Sequence, residues 1–258
     1  MKTESIDFKK KKLIIFDLDG TLAPSKSAMG DDVVAVFMKL LGKMKVAIMS
    51  GCGFPQFETQ VINKMPTNSA QFSNLYLLPT SGTKLYSWRG QWCEQYAEHL
   101  SPREKQKVLN ALQSSLTAAG HQAPAKLYGP TIEDRGSQIT FSALGQTAPF
   151  EPKQTWDPKR EKRQKIISFL APQLPEFDVR IGGTTSIDIT KKGVNKAYGI
   201  RKLETFLNVS TEDIVYVGDS LFHGGNDYPA RATGVDCVSV TGPEDTKYFI
   251  ERVLSSVG

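Results

Sequence analysis

Apolar residues fall along this chain in two different rhythms. The outer segments alternate short unbroken apolar runs with stretches of helical spacing. The first run, Leu13–Phe16, is rich in β-branched residues and stops at Asp17-Leu18-Asp19-Gly20-Thr21. Runs of that kind predict strands buried on both faces of a parallel sheet. Residues 31–41 carry Val33, Val34, Val36, Phe37 and Leu40, a helical stripe for which Asp31 or Asp32 is the expected N-cap. Residues 45–49 predict a second strand ending at Ser50-Gly51, 54–64 a helix, and 75–78 a third strand followed by Pro79-Thr80-Ser81-Gly82. The rhythm returns near the other end, with a helix over 196–207, strands over 214–217 and 235–240, and a closing helix over 244–254. This βαβ alternation predicts an α/β fold, a doubly wound, Rossmann-like parallel sheet with right-handed crossovers.

The middle of the chain breaks that rhythm. Residues 84–88 and 91–96 flank Arg89-Gly90, a hairpin signal. Residues 101–119 predict a helix with Ser101 as N-cap, Pro102 at its first position and Gly120 ending it. Short strands are expected over 126–128, 132–134, 137–142, 179–181 and 185–190, with a charged amphipathic helix over 157–170. Strands and helices without alternation suggest a separate α+β unit. The expected domains are therefore a core of residues 1–84 and 191–258, with an inserted α+β cap of residues 85–190.

Composition narrows the function classes. At 258 residues the chain is long enough for one large or two small domains. It has 32 basic against 27 acidic side chains, and part of the excess is the run Lys9-Lys10-Lys11-Lys12, read as a solvated approach to the first strand. No basic face interleaved with aromatic residues points to nucleic acid. No apolar segment approaches the length of a membrane span, and Met1 to Phe8 lacks an apolar signal core. Cys52, Cys93 and Cys237 are scattered, with no C-x-x-C pair. They fit free thiols in a reducing cytosol, hence a cytoplasmic protein, better than disulfides or a zinc site.

The chemistry gathers at strand ends. Asp17 and Asp19 follow the first strand, Ser50 and Gly51 the second, and Gly218-Asp219 the strand at 214–217, with Gly224-Gly225-Asn226-Asp227 beyond. Lys196 opens a helix. In a parallel sheet all these ends share one edge, where open α/β sheets bind ligands. Buried carboxylates one residue apart need a partner or a metal. Phosphoryl transfer calls for this set of groups. Asp17 would attack phosphorus to form an aspartyl phosphate, and Asp19 would protonate the leaving oxygen and then activate the acceptor. Asp219 would hold Mg2+, a hard cation that prefers carboxylates, while Ser50, Gly51 and Lys196 would bind the phosphoryl oxygens.

The motifs DLDGT at Asp17, the strand-end Ser50, Lys196 and GDSLFHGGND (Gly218 to Asp227) resemble the haloacid dehalogenase superfamily of phosphotransferases. The segments GGTTSIDITKKGVNK (Gly182 to Lys196) and IEDRGSQITFSALGQ (Ile132 to Gln146) narrow the resemblance to the members with an α+β cap, closest to eukaryotic-type phosphomannomutases and sugar-phosphate phosphatases. The resemblance implies Asp17 as nucleophile, Asp19 as acid/base, and Mg2+ held by Asp17, the Asp19 backbone carbonyl and Asp219, with Asn226 and Asp227 close by. It places Arg135, Ser186 and Asp188 of the cap against the distal part of a sugar phosphate, and it suggests a cap-mediated homodimer. By period-two alternation Ser186 and Asp188 share one strand face. Arg135 reads equally as a ligand contact or a solvated strand residue.

Two departures matter. Gln146 stands where the resemblance has an arginine, and the Ser25-Lys26 region replaces another. A mutase must hold a bisphosphorylated sugar in two orientations, and bidentate arginines suit a second phosphate site better than glutamine. The sequence therefore favours a Mg2+-dependent phosphatase acting on a small phosphorylated sugar or polyol. Interconversion of mannose 6-phosphate and mannose 1-phosphate is the first alternative, and a non-catalytic phosphosugar-binding module the second.

Overall fold

The computed structural model describes residues 6–258. The expectation over Met1 to Phe8 therefore lies, for residues 1–5, outside the described residues. In chain order the strands are β1 (Leu13–Phe16), β2 (Lys45–Met49), β3 (Leu75–Leu78), β4 (Lys84–Trp88), β5 (Trp92–Ala97), β6 (Ile132–Asp134), β7 (Gln138–Ser142), β8 (Phe177–Gly182), β9 (Ser186–Lys191), β10 (Ile214–Gly218) and β11 (Asp236–Ser239). The helices are α1 (Asp31–Leu41), α2 (Phe54–Gln60), α3 (Pro102–Ala118), α4 (Phe150–Trp156), α5 (Glu161–Leu170), α6 (Lys196–Leu207), α7 (Tyr228–Arg231) and α8 (Pro243–Val257). The chain forms two compact units, one of Met1–Ala97 with Asn195–Gly258, the other of Glu98–Val194.

The first unit is built on a seven-stranded sheet in the order β11-β10-β1-β2-β3-β4-β5. Its five strands from β11 to β3 are parallel. Because β2 leaves β1 on one side and β10 joins it on the other, the connections diverge at β1, the switch point at which such sheets open a crevice. Alternation then assigns two cores. Ile14, Phe16, Val46, Ile48, Val215 and Val217 cluster with Phe37 and Leu40 of α1 and Phe249 and Ile250 of α8. Leu13, Ile15, Ala47, Met49, Ile214 and Tyr216 cluster with Ile200 and Leu203 of α6. This is why the strands read as unbroken apolar runs: both faces are covered, and each buried aliphatic side chain contributes about 1.5–3 kcal/mol.

Several expectations shift. The hairpin β4–β5 belongs to the core sheet, pairing antiparallel through Tyr76↔Ser87, so the first unit runs to Ala97 rather than 84 and resumes at Asn195 rather than 191. An antiparallel hairpin interrupts βαβ rhythm without leaving the sheet, because mixed sheets accept antiparallel edge strands. Gly30, not Asp31 or Asp32, caps α1, and both aspartates lie in its first turn, where they favour the helix dipole. The helix expected over 54–64 ends at Gln60 and continues as a 3-10 turn.

The second unit holds a four-stranded antiparallel sheet in the order β6-β7-β9-β8. Ile139, Phe141, Ile187 and Ile189 cluster with Val108 and Leu112 of α3 and Ile166 and Leu170 of α5. The alternate positions Gln138, Thr140, Ser142, Ser186, Asp188 and Thr190 pair across β7 and β9 and form a polar face. Helix α3 carries the expected Ser101 cap, completed as a capping box by Glu104. The strand expected over 126–128 does not form. Tyr128 makes isolated bonds to Leu144 and Thr147, and Gly129-Pro130 interrupts any ladder.

The helix expected over 157–170 is α5 alone, preceded by an unanticipated α4. Asp157 and Pro158 precede α5, and the Asp157 carboxylate accepts the backbone N–H groups of Lys162 and Arg163 at 3.1 Å each. Arg163 is fully buried, donating to Asp157 at 2.9 Å and to the Gly183 carbonyl at 2.8 Å. Removing one partner of such a pair strands the other charge. Arg163→Met is expected to lower stability by about 3–5 kcal/mol, read as the shift in urea unfolding of the full chain.

Candidate active site

The carboxyl ends of β1, β2 and β10 meet at the switch point. The Asp17 N–H donates to the Val217 carbonyl at 2.9 Å, continuing the β1–β10 ladder by one residue past Phe16. That bond sets Asp17 at the sheet edge, where its carboxyl is buried. From α6, capped by the Asn195 side chain, Lys196 reaches the same point. Its Nζ donates to Asp17 Oδ1 at 2.5 Å and to the Met49 carbonyl at the end of β2. It also lies 3.6 Å from Asp227 Oδ1.

Asp17, Asp219 and Asp227 each offer an oxygen within 4.8 Å of the others. Asp227 is fully buried and accepts from the Tyr216 hydroxyl at 2.6 Å and the Ser220 N–H at 3.1 Å. Glycine at 218 makes this approach feasible, because a Cβ there would stand 2.4 Å from Asp227 Oδ2. Gly20 does the same for Asp219. Its φ is +84°, and a Cβ would lie 2.5 Å from Asp219 Oδ2. Gly20→Ala combines backbone strain with a collision against a candidate ligand. It is expected to cut divalent-cation affinity at least ~10-fold, measured by titration calorimetry with Mg2+, an effect of the size of about 1.4 kcal/mol.

Three carboxylates face one lysine, and the electrostatics follow. Burial raises the Asp17 carboxyl to about 7; Lys196 pulls it down while Asp227 and Asp219 push it up. Burial and Asp227 likewise raise Asp219. For Lys196, burial works downward, but Asp17 and Asp227 outweigh it and hold the ammonium above its ordinary value. Burial and Asp227 lift the Tyr216 hydroxyl well above its usual range, so it donates to Asp227 as a neutral phenol. Asp17 Oδ2 is buried with no hydrogen-bond partner. An orphaned carboxylate oxygen among hard oxygen donors carrying excess negative charge suits a divalent cation such as Mg2+.

The remaining expected residues lie in four places. Ser50 is buried at the end of β2, where its Oγ accepts the Cys52 N–H at 3.3 Å, and Gly51 follows it in the same turn. The Asp19 side chain is not in the acidic group; the ligand expected at that position is its backbone carbonyl, and the carboxyl is expected as acid/base. Its Oδ1 is held by the Lys26 N–H at 2.5 Å and by Gln60 Nε2 at 3.3 Å. Asn226 is exposed, whereas Asp227, expected only as a neighbour, is a member of the cluster. Within the second unit, Ser186 pairs with Ser142 at 2.8 Å, and Asp188 Oδ1 accepts from Thr140 at 2.7 Å and Gln138 at 2.9 Å. Arg135 donates through Nε and Nη2 to Glu133 Oε2 at 2.9 and 2.7 Å. The Gln146 carboxamide nitrogen is buried without a partner.

Sequence reasoning passed over Tyr216 and Gln60. A tyrosine inside the apolar run Ile214-Val215-Tyr216-Val217 was the available signal for the first, since a buried phenol needs an acceptor. Cys52, Cys93 and Cys237 are free thiols. No helix among the described residues is long and apolar enough to cross a membrane.

The family model of the eukaryotic phosphomannomutases matches residues 33–256. Similar curated proteins include the phosphomannomutase of Encephalitozoon cuniculi, 25% identical over 256 residues that cover 96% of each chain. That of Saccharomyces cerevisiae is 26% identical, again covering 96% of each. Phosphomannomutase 1 of Homo sapiens is 26% identical over 92% of this chain and 90% of its own. Among solved structures, an N-terminally truncated Plasmodium falciparum IMP-nucleotidase superposes with a TM-score of 0.67 at 18% identity, over 96% of this chain and 70% of that one. A haloacid dehalogenase-like hydrolase from Bacteroides thetaiotaomicron gives 0.62 at 16% identity, over 94% and 99%. At these identities the structural likeness speaks for the fold, a haloacid dehalogenase-like core with a cap.

Proposed function

From the premise that the chain belongs to the eukaryotic phosphomannomutase family, an enzyme family of the haloacid dehalogenase phosphotransferase type, we propose that it moves a phosphoryl group between positions of a hexose phosphate through Asp17. The observation that carries this reading is the buried contact of Lys196 with Asp17 Oδ1 beside an orphaned Oδ2. A carboxylate fixed through one oxygen by a cation, with the other left to meet a divalent cation, is held in place as a nucleophile.

The residues act in order. Lys196 fixes the Asp17 carboxylate and offsets the charge of an arriving phosphoryl group. Asp17 attacks phosphorus as the ester bond breaks; Asp19 gives its proton to the leaving oxygen and recovers one from the hydroxyl that takes the phosphoryl group back. Ser50 and the Gly51 N–H hold phosphoryl oxygens. Asp17, Asp219 and Asp227, with the backbone carbonyl at Asp19, would hold Mg2+, which would supply charge neutralisation at the transferring group. In the cap, Arg135, Ser186 and Asp188 take up the sugar and its distal phosphate. The excess of acidic groups at the core site gives no support to a binding module without turnover.

Hydrolysis is the second reading, and it has its own support. Arg135 is already compensated by Glu133, and Gln146 brings no charge to a second phosphate. A weak hold on a bisphosphate lets water replace the sugar as acceptor. The family match and relatives that align over nearly their full length weigh for isomerisation instead, against the hydrolysis that the sequence alone favours. Mannose 1-phosphate with Mg2+ and a trace of hexose bisphosphate, followed by phosphorus NMR, distinguishes them. Mannose 6-phosphate accumulating faster than inorganic phosphate is the expected result; phosphate alone would establish a phosphatase.

A further inference from the structure

Gln60 closes helix α2, only 4% exposed, and stands outside every motif that carries the chemistry. Its Nε2 donates to the Ser27 carbonyl at 2.9 Å and to Asp19 Oδ1 at 3.3 Å, and its own carbonyl accepts the Met29 N–H at 2.9 Å. Gln60 Oε1 is buried with no partner. Turning the amide over would set Oε1 against a carboxylate and a carbonyl, so the orientation is forced. A buried polar atom left unsatisfied costs about 1–3 kcal/mol. A methionine of similar length would fill the space without that penalty, so the amide answers a need other than stability.

We propose that Gln60 is a positioning residue for Asp19. This rests on the acid/base role assigned to Asp19 above. With the Lys26 N–H and the Gln60 amide both on Oδ1, that oxygen is committed as an acceptor, and the proton of the acid form resides on Oδ2. Transfer then has one geometry. As Asp17 bonds to phosphorus, the ester P–O bond breaks and its electron pair stays on the leaving oxygen. The Oδ2 proton moves to that oxygen, and the new carboxylate charge is met at Oδ1 by two N–H donors. The same amide ties the Ser27 carbonyl to α2, while the Gln60 backbone carbonyl takes the Met29 N–H, so the loop that supplies the Lys26 N–H is held by the residue that shares its acceptor.

The test exploits leaving groups. Expulsion of 4-nitrophenolate needs no proton, whereas expulsion of a sugar alkoxide does. Leaving-group release in a single turnover is measured with Mg2+ for 4-nitrophenyl phosphate and for a hexose phosphate. General acids contribute about 10²–10⁴-fold. Gln60→Met is expected to slow the hexose phosphate at least ~10-fold and 4-nitrophenyl phosphate less than ~3-fold, with an unchanged melting temperature. Gln60→Glu, which keeps the shape but opposes Asp19 with a second acceptor, should discriminate the same way. In an Asp19→Asn background Gln60→Met should add nothing, since contacting residues that work as one unit are non-additive. Equal slowing of both esters, or independent multiplication of the two effects, would overturn the proposal. A wild-type protein inert toward both esters would instead overturn the phosphoryl-transfer reading, and the positioning role with it.

Discussion

Asp17→Asn abolishes turnover. The substitution preserves shape but removes the nucleophilic charge, and loss of a covalent nucleophile costs roughly four or more orders of magnitude in rate. The variant should bind a hexose phosphate yet release no leaving group in a single turnover; residual activity within ~10-fold of wild type would exclude Asp17 as nucleophile. A second effect runs the other way. Burial raises the folded-state carboxyl of Asp17 to about 7 from an ordinary value of 3.8. The folded chain therefore holds this proton more tightly than the unfolded chain. The stabilisation is complete below the ordinary value and is lost as the pH rises through the folded one. Above that point the native state carries a buried charge that asparagine lacks. Without divalent cations, Asp17→Asn should match wild type in stability near pH 4, surpass it progressively towards pH 7, and keep the full margin at pH 8. Thermal unfolding at a series of pH values checks this; a margin that shrinks with rising pH would contradict the charge balance described.

Lys196→Met has the opposite signature. Lys196 is 2% exposed and is the cation facing Asp17, Asp219 and Asp227. Breaking a buried pair costs about 3–5 kcal/mol because the remaining charge is stranded. For a chain of this size that corresponds to a fall of about 10 °C in melting temperature. Mg2+ should recover part of the loss, since a divalent cation at the same carboxylates replaces the missing charge, and turnover should fail even where stability is restored. A lysine that merely solvates a helix start would cost under about 0.5 kcal/mol.

The fold and two of the clustered aspartates were legible for one physical reason. A strand buried on both faces is largely apolar, so Asp17 after Phe16 and Asp219 after Val217-Gly218 announce the point at which the sheet edge meets the site. Lys196 was legible only through motif order, because a lysine at a helix start carries no distinguishing pattern of its own. The boundary at Ala97 was not legible, since hairpin signals state which strands pair with each other but not which sheet receives them. Asp227 was underweighted beside Asn226 because adjacent residues in a glycine-rich loop have no periodicity to tell which faces inward. Gln60 was invisible for a related reason. On the helix α2 it occupies a position that packing would accept from many residues, and only Asp19 and the Ser27 carbonyl, distant in sequence, explain the amide.

The split of the first unit across the chain also fixes an order of assembly. Strand β1 lies in the interior of its sheet, yet its neighbour β10 follows it by about two hundred residues, while the unit Glu98–Val194 is continuous in sequence. Loop closure over that separation precedes any reward from β1–β10 pairing, whereas the continuous unit closes through shorter connections. During synthesis the middle of the chain can therefore finish folding while Leu13–Phe16 still presents an open apolar edge on its β10 side. That edge waits for Ile214–Gly218 to leave the ribosome. An exposed strand of this kind is a site of misassociation, so chaperone demand should last until Ile214–Gly218 has emerged rather than scale with the size of the protein.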